Sequence, residues 1–313
     1  MNSALRIVYM GSPGFAVTPL QFLVEAGYKP VAVVSQPDKA RGRMGKLSPT
    51  PLKQAALSYN LPVLTPTRVN TLESISEISA FKPDLLLVVA YGQILQKELL
   101  QLPLLGAVNL HASLLPTYRG AAPIHRAIIN GETESGVTTM YMNEGLDCGD
   151  MIISARCLIE AEDNAGMLHD KLTCLGAELL LTTVKLIERG KAPRVTQDNA
   201  LASYAPVLKP ADEAIDWRDS AQAIHNRLRG LNPWPGAYSF CKGRRIKLWR
   251  SHIRPSRFAA EPGSVITIDR QGIWLACGSG ELCLTEVQPE GKTRMDACAF
   301  ARGYSIQPGN LFE

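Results

Sequence analysis

The sequence predicts an α/β protein in which an open, mostly parallel sheet over residues 1–190 is followed by a small, curled antiparallel barrel over residues 213–313. Three observations carry that reading. Apolar runs alternate with helical stretches in the first part, as βαβ units require. The run "LLLVVA" at Leu85–Ala90 is apolar on both faces, the pattern of a parallel strand whose sheet is covered by helices on both sides. Beyond residue 217 the pattern shifts to short alternating segments punctuated by glycine, which suit a small barrel.

Taken in order, the first run, Leu5–Met10, leads into a helical stretch at Thr18–Ala26 and a second run at Pro30–Ser35. Further runs lie at Asp84–Ala90, Ala107–His111 and Val137–Met142, and a long helix from about Gly166 to Arg189 closes the domain. The stretch that follows has no clear period and carries Pro193, Pro206 and Pro210, so residues 191–212 read as an extended linker. A short helix at Ser220–Leu228 then precedes strands near Arg245–Trp249, Val265–Asp269, Ile273–Ala276 and Leu282–Glu286.

Composition narrows the class. With 46% hydrophobic and 20% charged residues the chain resembles an ordinary globular protein and excludes wholesale disorder. Its apolar runs fall far short of the roughly 20 residues that span a bilayer, so no membrane span is implied and no membrane partner is expected. The chain enters strand-like sequence within five residues of its start, leaving no place for a leader, and a cytoplasmic protein is expected. The seven cysteines are odd in number and form no CxxC pair or Cys/His cluster, which points to free thiols and no metal. Residues 1–190 hold 16 Lys plus Arg against 17 Asp plus Glu, net −1, whereas residues 191–313 hold 17 against 12, net +5. The basic excess belongs to the C-terminal part.

Two loops need separate readings. "GSPGF" at 11–15 is GxxG, lacks the Lys and Ser/Thr of a phosphate loop and contains Pro13; it reads as a tight strand-to-helix turn, with a ligand contact as the alternative. Asp38 lies past its strand, inside a basic loop, and makes a poor ribose-binding acid. That loop, Gln36–Pro51, carries Lys39, Arg41, Arg43 and Lys46 among glycines and prolines. It is either a solvated excursion or a flexible grip for a phosphate backbone.

Asn109 and His111 stand two residues apart on one strand, so period-two geometry aims both to the same side near its C-terminal end, where an α/β site belongs. A histidine there is either a satisfied core group or a functional donor. Arg119 and the small residues of "YRGAAP" fit a shaped cleft. In "NEGLDCGD", Gly145 and Gly149 bracket Asp147, which serves either as a structural turn residue or as a partner for the imidazole. Neither a G-x-S-x-G elbow nor an HExxH metal pattern is present, so the sequence advertises direct transfer between bound substrates. In such a reaction an amine attacks a carbonyl carbon, Asn109 and a protonated His111 donate to the developing oxyanion, and Asp147 orients His111 and helps remove the amine proton.

The motifs "MGSPGFA", "SQPDKARGRMGK", "VVAYGQIL", "NLHASLLPTYRGAAPI", "GLDCGD", "IDW" and "NPWPGAY" together resemble the folate-dependent formyltransferases, and among them the members acting on tRNA. The resemblance spans almost the whole chain. It implies a Rossmann-like formyltransferase fold with an OB-like C-terminal domain, and it puts the family's catalytic Asn, His and Asp on Asn109, His111 and Asp147. It implies 10-formyltetrahydrofolate as co-substrate, bordered by Tyr91, Gly92, Ile94, Ser113, Leu114, Leu115 and Pro116, largely through backbone groups. It implies initiator methionyl-tRNA as acceptor, with the basic loop entering the acceptor arm and Arg43 matching the functional arginine there, and with no stable protein partner. By their charge, Lys46 of that loop and Arg244, Arg245 and Lys247 of the C-terminal domain are expected to grip the tRNA as well. Independently of any resemblance, Ser220–Ala260 contains no acidic residue and nine Lys or Arg, interleaved with Trp234, Tyr238, Phe240 and Trp249, a field suited to RNA. A relative acting on a small amine or an amino-sugar nucleotide would keep the polar trio without needing that surface.

Overall fold

A computed structural model describes residues 5–41, 46–256 and 260–313, and the chain divides into two compact units. The first holds the described parts of Met1–Gly120, with Ser135–Cys157 and His169–Ala205; the second holds Ala121–Glu134, Leu158–Leu168 and the described parts of Pro206–Glu313.

The early chain runs β1 (Ile7–Gly11), α1 (Val17–Glu25), β2 (Ala32–Val34), β3 (Lys39–Arg41), β4 (Lys46–Ser48), α2 (Pro51–Ser58), β5 (Val63–Leu64) and α3 (Leu72–Ala80). It continues through β6 (Leu85–Val89), α4 (Lys97–Leu100), β7 (Ala107–His111), α5 (Pro123–Ile129), β8 (Glu134–Tyr141), β9 (Met151–Leu158) and α6 (Ala165–Glu188). Seven strands form one sheet in the order β5-β2-β1-β6-β7-β8-β9. Pairing is parallel from β5 to β7 and antiparallel between β7 and β8, so the expected open, mostly parallel sheet is observed. β1 and β6 are buried along their whole length, as the two-faced apolar runs require.

One packing contact decides which way β7 faces. Leu110 lies under Gly176 of α6, where an added Cβ would come within 2.9 Å of the leucine side chain. With Leu110 held beneath that helix, strand alternation turns Asn109 and His111 to the opposite face.

The basic loop contains more order than its composition suggests. β3 and β4 pair as a ribbon, with Lys39 opposite Ser48 and Ala40 opposite Leu47. Thr50 caps α2 by accepting from the Lys53 N–H at 3.1 Å, Pro51 begins the helix, and the Lys53 ammonium pairs with Asp38 at 2.8 Å. Arg43 lies outside the described residues.

The second unit adds α7 (Pro210–Glu213), α8 (Ala221–Gly230), β10 (Ala237–Cys241), β11 (Arg244–Arg254), β12 (Val265–Ile268), β13 (Ile273–Ala276), β14 (Glu281–Pro289), β15 (Met295–Asp296) and α9 (Ala297–Gly303). Its antiparallel order is β10-β11-β14-β13-β12, with β15 beside β14. Register shifts around Arg250 bend the long β11. The last residues then join the two edges: Phe240 and Glu313 exchange backbone hydrogen bonds beside β10, while Phe312 donates to Gly263 and Val265 donates to Asn310 beside β12. The sheet is thereby closed as a barrel around Leu248, Leu275, Leu284 and Phe312.

None of the seven cysteines forms a disulfide, and burial pushes the Cys277 and Cys283 thiols up to about 12. Among the described residues no helix is long and apolar enough to cross a membrane.

His225 on α8 introduces a pH-dependent weakness into the second unit. Its Nδ1 lies 2.9 Å from the Ser251 hydroxyl, and burial, reinforced by the nearby Arg229 charge, pushes its pKa down to about 4. A pKa depressed in the folded state means that stability is complete above the unfolded value of about 6.5 and drains away as pH falls toward 4. At about 1.4 kcal/mol per unit and with allowance for partial exposure, the loss is about 2 to 3 kcal/mol. All four tryptophans lie in this unit, so urea unfolding followed by their fluorescence reads it directly. We expect wild type to lose this stability between pH about 7 and about 4, and His225→Gln to lose correspondingly less. Identical pH dependence in both proteins would contradict the assignment.

Candidate active site

The site is built on β7 and on two loops of the first unit. His111 is 6% exposed, and its Nε2 lies 2.9 Å from the Tyr118 carbonyl. A carbonyl only accepts, so Nε2 carries the proton, and Nδ1 is the nitrogen left to face the site. Tyr118 can deliver that carbonyl because the chain turns sharply there, with φ +59°. The turn is prepared upstream: Leu115–Pro116 is cis, the Ser113 hydroxyl donates to the Thr117 carbonyl at 2.6 Å, and the Thr138 hydroxyl donates to the Ser113 carbonyl at 2.8 Å.

Asp147 arrives from the β8–β9 hairpin. β8 runs against β7, and the Met142 N–H donates to the Ala107 carbonyl at the N-terminal end of β7. The connecting loop therefore has to return along β7 to reach the other end. It does so: Asp147 Oδ2 stands 3.7 Å from His111 Nδ1, and Oδ1 is 3.4 Å from Asn109 Nδ2. The backbone N–H of Gly120 donates to Oδ2 at 2.9 Å. Asp147 has φ +49°, a conformation that few non-glycine residues adopt. Gly149 lets the loop close, since any Cβ there would collide with the Tyr141 carbonyl. The structure thus brings Asn109, His111 and Asp147 together, which spacing alone leaves open.

Sequence reasoning passed over Gln197, which lies in the aperiodic stretch after α6. It is 5% exposed, and its Nε2 donates to the carbonyls of Asp147 at 2.9 Å and Gly149 at 2.8 Å. A buried glutamine in a supposed linker has no periodic signal; only its neighbours in space reveal it.

The residues expected to border a folate divide by exposure. The Tyr91 ring is packed into the core with Met10, Val88 and Leu95, so only its backbone faces outward. Its carbonyl already accepts from the Ser12 hydroxyl at 3.2 Å and Gln36 Nε2 at 3.3 Å, stitching together the carboxyl ends of β1, β2 and β6 at the point where strand order reverses. Gly92, at φ +87°, is exposed, and Ile94 is 80% exposed although its carbonyl is held by Asn70. Ser113 and Leu115 are buried, while Leu114 and Pro116 are half-buried beside His111 in sequence.

The basic residues of the second unit are less free than the sequence implies. Arg245 pairs with Glu213 at 3.2 Å and lies over the Tyr238 ring, and Lys247 donates to the Pro235 carbonyl at 2.6 Å. Arg254 pairs with the buried Glu281 at 2.7 Å, and Arg250 lies 3.8 Å from Glu286. Arg244 is exposed, as are Trp234 and Phe240, while Trp249 is buried. Lys46 pairs through its backbone in the β3–β4 ribbon. Among the described residues no cluster of three or more His, Cys, Asp or Glu side chains is placed to hold a metal.

A polar trio gathered at the carboxyl end of β7, two members on the strand and the third on the hairpin loop, fits a group transferase acting directly between two substrates. Residues 6–184 match the formyl transferase family and residues 207–305 match its C-terminal domain; the chain belongs to that family. It is 48% identical to a methionyl-tRNA formyltransferase of Moorella thermoacetica, over 98% of this chain and 99% of the relative. It is 46% identical to that of Bacillus subtilis, over 98% and 97%. Among solved structures, an N-formyltransferase of Helicobacter canadensis in complex with folinic acid and dTDP-3-aminofucose superposes with a TM-score of 0.68 at 19% identity, covering 91% of this chain and 99% of that one. HypX of Aquifex aeolicus in complex with tetrahydrofolic acid gives 0.64 at 16% identity, over 98% of this chain and 48% of that one. At such identities these two likenesses establish the fold alone.

The Tyr91 hydroxyl is the weak point of this region. It is buried without a protein hydrogen-bond partner among the described residues, and burial pushes its pKa up to about 12. A desolvated hydroxyl that forms no bond costs about 1 kcal/mol or more, so Tyr91→Phe is expected to raise stability by about that amount and leave folate-analogue affinity unchanged. Urea denaturation and titration with the analogue check both; a stability loss or weakened binding would contradict this reading.

Proposed function

We propose that this protein transfers the formyl group of 10-formyltetrahydrofolate to the α-amino group of methionine carried by initiator tRNA, in the cytoplasm. The observation that carries the reading is the convergence of the Asn109 amide, His111 Nδ1 and the Asp147 carboxylate, in a chain alignable almost end to end with methionyl-tRNA formyltransferases.

The chemistry follows from that arrangement. The amine lone pair attacks the formyl carbon, the new carbon–nitrogen bond forms, and negative charge builds on the formyl oxygen. One Asn109 N–H faces Asp147, which leaves the second to donate to that oxygen. His111 contributes through Nδ1, because Nε2–H is committed to Tyr118; a proton on Nδ1 is balanced by the Asp147 charge 3.7 Å away. Asp147 takes the proton that the attacking amine gives up, directly or through one water. Breaking the bond to the folate nitrogen, which takes up a proton, completes the transfer. Holding two large substrates together supplies several kcal/mol of the barrier reduction, roughly the low end of what oriented intramolecular reactions gain.

The folate lies against Gly92, Ile94 and the Ser113–Pro116 turn, meeting backbone groups for the most part. The acceptor arm is held by the basic loop, through Arg43 and Lys46, and by the second unit. Exposed Arg244 makes direct phosphate contact there, whereas Arg245 and Lys247, tied by Glu213 and Pro235, stiffen the surface around it.

The test is incubation with 10-formyltetrahydrofolate labelled in its formyl group, using charged initiator tRNA beside charged elongator methionine tRNA. Label is expected on the initiator product. Label on neither aminoacyl product rejects the assignment, and label on an amino-sugar nucleotide instead would move the chain to another branch of the family. In the same assay Asn109→Ala should lower kcat by about 10²- to 10³-fold while KM for tRNA stays within about threefold. Intact kcat with collapsed tRNA affinity would remove Asn109 from the chemistry.

A further inference from the structure

Arg119 lies between the two backbone groups that hold the site, the Tyr118 carbonyl on His111 and the Gly120 N–H on Asp147. Its own side chain is 3% exposed and turns the other way, toward the stretch after α6. Nε and Nη2 donate to Gln197 Oε1 at 3.0 and 2.7 Å, and Nη2 donates to Asn199 Oδ1 at 2.9 Å. An arginine only donates, so the oxygen of Gln197 must face it and the amide nitrogen must face the other way. That nitrogen meets the carbonyls of Asp147 and Gly149. The same stretch is fastened at both ends. Val195 and Met151 exchange backbone bonds at 2.9 Å, the Ser203 hydroxyl accepts from the Tyr118 N–H at 2.9 Å, and the Arg119 N–H donates to the Ser203 carbonyl at 2.9 Å.

We propose that the Arg119–Gln197 pair is a positioning clamp for the reaction, tying the turn that orients His111 to the loop that carries Asp147 so that their side chains keep one separation. The clamp rests on the reaction proposed above. Asp147 needs it because its loop comes from the far end of β7 and Asp147 itself sits in a left-handed conformation, which costs free energy in a residue with a side chain. Two donor bonds to that backbone hold the conformation, and the buried guanidinium fixes which atom of Gln197 does the donating. Arg119 and Gln197 are positioning residues: neither has to touch a substrate.

Gln197→Glu separates the clamp from simple packing. Glutamate keeps the size and the arginine contact but puts a negative oxygen against the two carbonyls. Gln197→Met keeps the volume and loses every polar bond, and guards against a misfolded glutamate variant. For both we expect kcat to fall by about tenfold or more, with KM for folate and tRNA within about threefold. Deuterium exchange of residues 145–150 should accelerate while the rest of the protein exchanges as in wild type. On an Asp147→Asn background the kcat loss should vanish, because a clamp that acts through Asp147 has nothing left to place. Wild-type turnover in Gln197→Glu, unchanged loop exchange, or losses that multiply on the Asp147→Asn background would each overturn the clamp. Full turnover in Asp147→Asn alone would instead strike the reaction chemistry, and loop exchange in the Gln197 variants would then decide the clamp by itself.

Discussion

The separation of the Asp147 carboxylate from the His111 imidazole is the constraint on which the remaining architecture turns. A carboxylate and an imidazole 3.7 Å apart are close enough to share charge and too far apart to satisfy one another by a hydrogen bond, so each must be held by something else. His111 is held by the Tyr118 carbonyl and Asp147 by the Gly120 N–H, two backbone groups on the same short turn. A gap kept open in this way leaves each group with hydrogen-bonding capacity to spare. Direct contact would close it.

The fold supplies that geometry in layers. Gly176 lets α6 approach β7 and bury Leu110, which turns Asn109 and His111 to the other face. The antiparallel β8 then brings its hairpin back along the same strand, where a further parallel strand would have carried the chain away into a helical crossover. The change from parallel to antiparallel pairing beside β7 is thus part of the site. In the second unit the chain's last described residues close the barrel edges, and acids from outside the basic run neutralise much of it. Among the described residues of that run, the cations left exposed are Lys242, Arg244 and Arg250, beside exposed Trp234 and Phe240, a smaller set than a count of positive charges suggests.

Much of this was legible in the sequence. The apolar runs gave β1, β6 and β7 to within a few residues, and period-two alternation correctly aimed Asn109 and His111 to one side. Two edge strands were missed: β5 because two residues carry no period, and the eight-residue β9 because only one of its residues, Ile152, is buried. The meeting of Asp147 with His111 depends on where a hairpin loop travels, which spacing does not encode. Tyr118 and Gly120 act through backbone atoms and leave no side-chain signature. Gln197 sits in a stretch with no repeating pattern at all. The pairing of Arg245 with Glu213, and of Arg254 with Glu281, joins residues 32 and 27 positions apart, so a local charge count overstates the free cations.

The place proposed for Asp147 is in the chemical step rather than in binding. Single-turnover formyl transfer by Asp147→Asn, with enzyme saturated by both substrates, addresses it without interference from product release. The expected rate is about 10²- to 10⁴-fold below wild type, with initiator tRNA affinity changed by less than about threefold, because the amide keeps the volume and loses the charge and the proton acceptor. A single-turnover rate equal to that of wild type would contradict it.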